Sequence, residues 1–398
     1  MNSGLSAPAM GCHPYQLPLC LARQSSATSG PARAEPSFRY REGRLGNAEL
    51  KYVNGLPLLA VQGTPEEIGE AVGLLALKPG RRMADYPDDL LRKFWLRLLR
   101  WPMLQVGRWI TKSFPADYRR EMDAMYAAAN LDHDRAVLNN TFYDVKKVAF
   151  CSALLVTTER STEGGPLLGR NLDYPPLGYA HEYSLVTVYR PCGSRHSFVS
   201  VGFPGMVGCL SGMNDAGLTV AVMEAYQVRF GNRWLNLSGM PFALCFRRLL
   251  EECSSIEEAI ALLNTMKRTG LNSLVVADRN GVAVFEITPN RVVVRGPRDG
   301  TCVCTNHFCT PELRPLVSFN LFKTHDHFAA LEQVTSQRNK LGVTDLHTAL
   351  HSVCDPHMTL QTMIYEPRKL RLHLAIGTIP ASAGALRVLD LEPFLQRS

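Results

Sequence analysis

The sequence FCSALLVTTERSTEGGPLLGRNLDY, residues 150–174, decides the fold of this chain. An apolar run at 151–157 is followed by EGGP at 163–166 and then by a second apolar run. Short apolar runs separated by Gly and Pro predict two β-strands joined by a turn. In an antiparallel hairpin the second strand returns beside the first. The pattern therefore predicts that residues 170–173 lie close to Cys151.

Three residues of this hairpin are candidates for chemistry: Cys151, Arg170 and Asp173. A guanidinium near a thiol favours the thiolate, which is the nucleophilic form of cysteine. A carboxylate nearby can hold a positively charged amine. Because most cysteines with such neighbours are ordinary buried residues, the hairpin alone does not establish a catalytic site.

Two asparagines at predicted strand ends extend the candidate site. Asn214 lies in the turn of GCLSGMNDAGL, residues 208–218, and Asn306 follows an apolar strand that ends near Thr305. A side-chain amide can donate a hydrogen bond to the oxyanion that develops during acyl transfer. A turn asparagine can equally bond its own backbone, and the sequence leaves that alternative open.

The rest of the chain is typical of an α+β protein with mostly antiparallel sheets. After residue 150, many short apolar strands alternate with pairs of helices. Asn-Gly at 280–281 between two apolar runs predicts a hairpin, and Ser255 with Glu258 predicts a capped helix start. Before residue 150, TPEE at 64–67 has the hydroxyl, proline and acids of another helix N-terminus.

Composition excludes several classes of protein. The 398 residues are 46% hydrophobic and 20% charged, which excludes disordered, collagenous and coiled-coil chains. A net charge of +7 points only faintly to nucleic acid, and we expect no such partner. The 11 cysteines show no regular framework, which favours free thiols, and the N-terminus shows no clear secretory signal. We therefore expect a cytoplasmic protein, with export and paired cysteines as the alternative.

No metal site is expected. Cys302 and Cys304 share one face of a predicted strand, near His307 and Cys309. A zinc site requires a second closely spaced pair of ligands, which the sequence does not offer. Buried strand cysteines are the favoured interpretation.

Three regions are predicted along the chain. Residues 1–36 are rich in Ser, Ala, Gly and Pro and are predicted to form a disordered tail. Residues 37–150 form an N-terminal segment, and residues 151–398 form the catalytic region. Within the N-terminal segment, residues 89–112 alternate Arg and Lys with Phe, Leu and Trp. This pattern allows peripheral contact with an anionic membrane. The favoured interpretation is an amphipathic helix, interrupted at Pro102, whose aromatic face packs on the main domain.

Taken in order, four motifs resemble the signatures of cysteine N-terminal-nucleophile (Ntn) hydrolases. The resemblance is to acyl-coenzyme A:6-aminopenicillanate acyltransferase-like proteins, whose relatives include choloylglycine hydrolases, acid ceramidase and N-acylethanolamine acid amidase. It runs from about Leu56 to Gly377. The motifs are FCSA at 150–153, GRNLDY at 169–174, GMNDAGL at 212–218 and TNHF at 305–308.

The resemblance implies an αββα sandwich of two mostly antiparallel sheets between helical layers, preceded by a largely helical N-terminal segment. It also implies a precursor whose Phe150–Cys151 bond is cut by the Cys151 thiol itself, with both fragments remaining associated. The new α-amino group, with an ordinary pKa of about 7.7–8.0, would then serve as the base for the thiol. Asn214 and Asn306 would donate to the oxyanion, and no cofactor is implied; acyl-coenzyme A would enter only as a substrate.

In this scheme Arg170 tunes the sulfur and Asp173 orients the α-amine. The function implied is a self-processing amidohydrolase or acyltransferase that forms a Cys thioester with a small N-acyl compound. Apolar residues that could line the pocket for an apolar acyl arm, or simply pack in the core, are Tyr174, Phe203, Met206 and Met223. An arginine that the family commonly places after the Thr-Asn segment has no clean equivalent, and Arg314 and Lys323 are candidate replacements.

Two other functions remain open at the level of sequence. A cysteine–histidine thiol hydrolase without self-cleavage would need a histidine such as His307 beside the nucleophile. A non-catalytic protein that retains the Ntn fold would need neither cleavage nor activity.

Overall fold

The computed structural model describes residues 37–145 and 149–396, so the predicted tail at 1–36 lies outside the described residues. The described strands are β1 (Gly43–Leu45), β2 (Ala48–Val53), β3 (Leu56–Gly63), β4 (Phe150–Val156), β5 (Leu167–Asp173), β6 (Leu185–Pro191), β7 (Phe198–Gly202), β8 (Ser211–Asn214), β9 (Thr219–Glu224), β10 (Asn272–Ala277), β11 (Val282–Ile287), β12 (Val292–Arg295), β13 (Thr301–Cys304), β14 (Thr359–Glu366), β15 (Arg371–Ile376) and β16 (Arg387–Asp390). The described helices are α1 (Pro65–Val72), α2 (Tyr86–Lys93), α3 (Arg100–Ile110), α4 (Ala116–Ala128), α5 (His133–Val145), α6 (Phe242–Glu252), α7 (Ile256–Thr265), α8 (Thr324–Ser336), α9 (Val343–Ser352) and α10 (Glu392–Leu395).

These strands form two sheets. Across the described ranges, the larger sheet has ten strands in the order β1-β2-β3-β6-β7-β8-β9-β10-β11-β12, and the smaller has six in the order β13-β4-β5-β14-β15-β16. Neighbouring strands run antiparallel except β3 and β6, which are parallel. The predicted arrangement of mostly antiparallel sheets is confirmed.

The alternation of side chains along β4 shows how the sheets pack. Cys151, Ala153 and Leu155 face the larger sheet, in a core that both sheets share. Leu154 and Val156 face the opposite way and pack against α8 and α9. Successive residues of a strand point to opposite faces, so one strand can contribute to both layers.

Helices cover both outer faces of the sheet pair. The outer face of the larger sheet packs against α1, α4, α6 and α7 in a second apolar core. Together with α8 and α9 on the smaller sheet, this gives the αββα sandwich that the resemblance predicted. The nucleophile candidate lies in the middle of it, on the inner face of the smaller sheet.

Local sequence signals are confirmed where they depend only on neighbouring residues. Thr64 caps α1 and exchanges hydrogen bonds with Glu67, and the Ser255 hydroxyl accepts from the Glu258 backbone at the start of α7. The Asn-Gly pair at 280–281 connects β10 to β11 in an antiparallel hairpin.

The N-terminal segment is more than a helical addition. It contains α1 to α5 but also β1 to β3, and β3 lies inside the larger sheet, parallel to β6. The described residues from 38 onward form one compact unit. A cut between residues 150 and 151 would therefore leave two fragments that share a sheet.

The favoured interpretation of residues 89–112 is wrong. The buried face of α3 is aliphatic and small, whereas Trp95, Leu98 and Trp101 are 93%, 92% and 69% exposed. The helices break at residues 94–99 rather than at Pro102, because Pro102 lies in the first turn of α3, where a proline is tolerated. The residues of α3 that do face the protein are Met103, Leu104, Gly107 and Ile110.

Among the helices in residues 37–145 and 149–396, none combines the length and the apolar character needed to cross a bilayer.

Candidate active site

Cys151 is the second residue of β4, and its side chain is buried between the two sheets. The pairing of β4 with β5 sets Cys151 opposite Leu172 and Ala153 opposite Arg170. Arg170 Nη2 consequently lies 3.0 Å from Cys151 Sγ. The hairpin at 150–174 thus brings together the two residues that the sequence predicted to be neighbours.

Arg170 is held rigidly across the gap between the sheets. Its guanidinium donates to Ser211 Oγ at 2.6 Å and to the Val222 carbonyl at 2.9 Å, both on the larger sheet. The side chain is fully buried. A charged group with fixed hydrogen bonds keeps its orientation, so the guanidinium stays directed at the sulfur.

In the intact chain, burial governs the Cys151 thiol. Burial raises its pKa to about 11; the nearby Arg170 guanidinium opposes this rise, while Asp173 and Glu224 add to it. The expected thiolate-favouring influence of Arg170 is present but smaller than the effect of burial. The thiol is therefore protonated at neutral pH, and it needs a base before it can attack.

Asp173 ends β5 and is buried. Burial raises the pKa of its carboxyl to about 7, while a hydrogen bond from the Thr359 hydroxyl and the charge of Arg170 act in the opposite direction. Near neutral pH this carboxyl is poised between its two forms. A positively charged amine placed beside it would favour the ionised form.

Asn306 contacts the chain on both sides of the predicted cleavage bond. Its Oδ1 accepts from the Cys151 backbone N–H at 2.8 Å. Its Nδ2 donates to the Glu224 carbonyl at 2.7 Å and lies 3.4 Å from the Ala149 carbonyl. The backbone at this residue is held as well, because the Asn306 backbone N–H donates to Thr324 Oγ1 at 2.9 Å.

The contacts of Asn214 in the intact chain disfavour its predicted role as an oxyanion donor. Its Nδ2 donates to the carbonyls of Leu250 and Cys253, at 3.0 and 2.7 Å, and its Oδ1 accepts from the Leu218 N–H. Both amide hydrogens are used to tie β8 to the C-terminal end of α6. Asn214 therefore has a structural role, in line with the turn alternative that the sequence left open.

Two residues that the sequence analysis missed, Glu224 and Tyr226, lie beside the cleavage bond. The buried Glu224 carboxylate accepts from the Ala149 N–H at 3.1 Å and from the Tyr226 hydroxyl at 3.2 Å. The same hydroxyl also donates to the Ala149 carbonyl. The sequence does contain one indication of this site: Glu224 ends the apolar strand β9, and a carboxylate is seldom buried without a partner.

The predicted acyl pocket is almost closed in the intact chain. Tyr174, Phe203 and Met206 line one cavity of ≈ 10 Å³, which is about the space of one water molecule. Met223 does not line that cavity but packs in the core between the sheets. As described here, these residues leave no room for an acyl chain.

His307 contacts residues of α8. Its Nδ1 is 2.9 Å from Thr324 Oγ1, and its ring packs 4.2 Å from that of His325. Burial lowers its pKa to about 4. Together with Arg314 it lines a separate cleft of ≈ 860 Å³. These contacts disfavour the cysteine–histidine alternative.

The cysteines of β13 are also accounted for. Cys302 and Cys304 are buried in the core between the sheets, as ordinary strand cysteines. In the part of the chain that the structure describes, no group of three or more His, Cys, Asp and Glu side chains is arranged to hold a metal ion.

The raised thiol pKa leads to a prediction about alkylation. In chains whose residues 150 and 151 are still linked, we expect iodoacetamide at pH 7.5 to label Cys151 slower than the exposed Cys192 by about 100-fold or more. Because the pKa is raised, the rate should climb with pH through the alkaline range. Peptide mass spectrometry separates the linked and cleaved forms of the Cys151 peptide. Equal labelling of the two cysteines at pH 7.5 would contradict the buried, protonated thiol.

Comparison with known proteins identifies the family. The family described as acyl-coenzyme A:6-aminopenicillanic acid acyl-transferase matches residues 160–378, which is more than half of the chain. The chain belongs to this family, and the resemblance inferred from the four motifs is confirmed. This family is one of Ntn amidohydrolases and acyltransferases.

Individual relatives are distant. An uncharacterized protein of Archaeoglobus fulgidus is 24% identical over 326 residues, covering 67% of this chain and 52% of the relative. Acid ceramidase of Balaenoptera acutorostrata scammoni is 22% identical over 272 residues, covering 61% of this chain and 68% of the relative. A Caenorhabditis elegans N-acylethanolamine-hydrolyzing acid amidase ortholog has a TM-score of 0.44 and 15% identity, covering 61% of this chain and 100% of that one. The chain spans about half the length of the first relative.

Proposed function

We propose that this chain is a self-processing cysteine amidohydrolase or acyltransferase that acts on small N-acyl amides. The observation that carries the proposal is the position of Asn306. Its amide contacts Ala149 and Cys151, which flank Phe150, while the thiol of Cys151 lies beside Arg170. The thiol nucleophile of Cys151, the Arg170 cation and the Asn306 amide therefore all lie beside the Phe150–Cys151 peptide bond.

The first reaction is on the chain itself. Cys151 Sγ attacks the carbonyl carbon of Phe150, and the peptide bond to the Cys151 nitrogen breaks. The Phe150 acyl group is then a thioester on Sγ, and the nitrogen takes up a proton to become a free amine. Water attacks the thioester, which gives a Phe150 carboxylic acid and returns the hydrogen to the thiol.

This first reaction needs a base other than the α-amine, because the Cys151 nitrogen is still an amide. Glu224 is the candidate, because its buried carboxylate accepts from the N–H of Ala149, two residues before Cys151. It would take the thiol proton and pass it to the leaving nitrogen. Asp173, whose pKa is raised to about 7, is a second candidate for this base, because a general base works best with a pKa near the operating pH.

The mature enzyme then has its own base. The new α-amine takes the thiol proton, Sγ attacks the amide carbonyl of the substrate, and Asn306 Nδ2 donates to the oxyanion. The amide C–N bond breaks, the ammonium protonates the leaving amine, and the acyl group stays on Sγ. Water or an acceptor amine displaces it, which releases the acid or a new amide and restores the thiol. Asp173 holds the α-amine in position through charge.

Replacing Glu224 by glutamine tests the first base. The variant Glu224→Gln keeps the size of the side chain but cannot take up a proton, so we expect the cleavage rate to fall by about 100-fold. Cleavage is followed as the appearance of the Cys151 N-terminus by mass spectrometry. The matched control is Glu286→Gln, a buried carboxylate of the same sheet that accepts backbone N–H groups from Cys309 and Thr310. Equal rates in both variants would remove Glu224 from the mechanism.

One experiment tests the function as a whole. Purified protein is examined by mass spectrometry for fragments ending at Phe150 and beginning at Cys151, and it is assayed on fluorogenic N-acyl amides with one constant amine. We expect two fragments that remain together and hydrolysis of at least one acyl amide. An intact 44.2 kDa chain that hydrolyses none of them would support a non-catalytic protein and overturn the proposal.

A further inference from the structure

The side chain of Phe150 is held by two aromatic rings. Its ring centroid lies 3.8 Å from that of Phe322 and 5.9 Å from that of Tyr226. Tyr226 and Phe322 are themselves 5.9 Å apart, so the three rings form one cluster. We name Tyr226 and Phe322 the ring clamp.

The backbone conformation around Phe322 is unusual and is held by neighbouring contacts. Phe322 and Lys323 both have positive φ angles, 54° and 58°, which non-glycine residues seldom adopt. Such conformations persist only where surrounding contacts enforce them. Here the Gln227 side chain exchanges two hydrogen bonds with the backbone of Phe319, at 2.9 and 3.0 Å. The segment that carries Phe322 is thus tied to the segment that carries Tyr226.

The position of Phe150 has a chemical meaning. During self-cleavage the acyl group of Phe150 becomes bonded to Cys151 Sγ, and in every later turnover the acyl group of a substrate forms the same bond. The side chain of residue 150 therefore marks where a substituent of the acyl group lies relative to the sulfur. Once Phe150 has left, the clamp faces the substrate.

Resting on the function proposed above, we propose that Tyr226 and Phe322 form the acyl subsite, and that they select acyl groups with an aromatic ring two carbons from the carbonyl. Phenylalanine has this spacing, and so does a 3-phenylpropanoyl group. Offset or tilted ring pairs gain free energy beyond simple burial, so a straight alkyl chain gains less there. The cavity at Tyr174 is too small to compete.

An open cleft continues from the clamp. It has a volume of ≈ 620 Å³ and includes Tyr226, and its lining combines apolar side chains of both segments with Asp144 and Arg229. Among the apolar side chains are Val228, Phe230, Trp234, Leu271 and Val317. An acyl group longer than 3-phenylpropanoyl would extend into this cleft.

The test compares two acyl groups on one amine. Rates are measured for 3-phenylpropanoyl and hexanoyl amides, each normalised to the amount of free Cys151 N-terminus found by mass spectrometry. We expect the wild-type chain to hydrolyse the 3-phenylpropanoyl amide faster than the hexanoyl amide. In the variant Phe322→Ala, the ratio of these two rates should fall about tenfold. The control is Phe319→Ala, an exposed aromatic of the same segment whose contact with Gln227 uses only the backbone. It should keep the preference.

Two results would overturn the subsite proposal, and a third would overturn the proposed function. If Phe322→Ala matures slowly but the matured fraction keeps the wild-type preference, the clamp serves only self-cleavage and the subsite proposal is overturned. Preference for hexanoyl in the wild-type chain overturns it as well. A chain that neither matures nor hydrolyses any amide instead overturns the function itself, so the two failures can be told apart.

A separate observation concerns the exposed aromatic segment, residues 94–101. Trp95, Leu98 and Trp101 are almost fully or largely exposed, and Trp95 is held outward by a positive φ of 60°. From 89 to 112 the chain has six basic residues and one acid, although Arg92 and Arg100 are paired with Asp89 and Asp88. Exposed aromatic residues surrounded by positive charge fit an anionic lipid surface.

We infer that the exposed aromatic segment docks on the surface of an anionic membrane. The preceding helix α2 supports this, because Tyr86 and Pro87 of α2 line the cavity beside Tyr174. The segment would therefore approach lipid on a helix that reaches toward the candidate site. Apolar side chains enter the interface, while Lys and Arg contact the anionic headgroups.

Vesicle sedimentation tests the docking. We expect the chain to bind phosphatidylcholine vesicles containing phosphatidylglycerol and to bind pure phosphatidylcholine much less. We also expect 0.5 M salt to release it, because the Debye length then falls to about 4 Å and the charges are screened. The double variant Trp95→Ser/Leu98→Ser should bind about tenfold more weakly. The control Phe230→Ser removes an equally exposed aromatic elsewhere. Equal losses in both variants, or no binding by the wild-type chain, would overturn the inference.

Discussion

We expect the replacement of Cys151 by alanine to abolish maturation and amide hydrolysis together. The variant should remain a single chain of about 44.2 kDa, and its turnover of N-acyl amides should fall by a factor of about 10⁴ or more. The physical reason is that one sulfur atom performs both acyl transfers in the proposed mechanism, and Arg170 and Asn306 cannot replace it as nucleophiles. Denaturing gels and mass spectrometry follow maturation, and a fluorogenic amide follows turnover.

The control must separate lost chemistry from lost packing. Cys302→Ala removes a sulfur from the same core between the sheets, on the strand that pairs with β4. It should mature and turn over substrate at close to the wild-type rate. A Cys151→Ala chain that is still cut between residues 150 and 151 would contradict the mechanism.

Replacing Arg247 by methionine is expected to have the largest effect on stability. Arg247 is buried and donates to both oxygens of Glu121 at 2.7 Å and to Glu251 at 2.7 Å. Without it, the buried Glu121 carboxylate loses its ion pair and Glu251 keeps Arg195, whose Nη1 lies 3.4 Å from Glu251 Oε2. Breaking a buried ion pair costs about 3–5 kcal/mol of unfolding free energy. Urea denaturation in the Cys151→Ala background, where the chain stays uncut, measures this loss.

The same ion pair crosses the proposed cleavage site. Glu121 lies on α4, in residues 37–150, whereas Arg247 and Glu251 lie on α6, in residues 151–398. In the matured protein, Arg247→Met should therefore also weaken the association of the fragments in size-exclusion chromatography. The control is Arg248→Met, which breaks a partly exposed pair with Glu252 on the same helix and should cost about 1 kcal/mol or less. Similar losses of stability in both variants would show that the buried ion pairs of Arg247 contribute no more than the partly exposed Arg248–Glu252 pair.

Part of the site could be predicted because its residues are close along a hairpin. The separation of Cys151 and Arg170 is set by one turn and by strand geometry, so the pattern of apolar runs was sufficient. Asn306 was identified through its motif, and the structure places it against the Cys151 N–H. The roles of these residues stay predictions until the variants are made.

Other parts could not be predicted from short motifs. The turn of Asn214 is recognisable, but nothing in it indicates that the C-terminal end of α6, more than 30 residues later, takes up both amide hydrogens. Glu224 was missed because an acid at the end of a strand usually faces water. In the exposed aromatic segment and α3, both faces carry apolar residues, so helical periodicity did not show which face is buried.

By itself, the sequence determined what depends on near neighbours: the alternation of strands, the turns, the helix caps and the closeness of Cys151 to Arg170 in the β4–β5 hairpin. These follow from backbone geometry and hydrogen bonding within a few residues. The tertiary structure decided the rest, because burial in a shared core joins residues far apart in the chain. Asn306 reaches Cys151 across 155 positions and Arg247 reaches Glu121 across 126, and only the packed sandwich makes those contacts favourable.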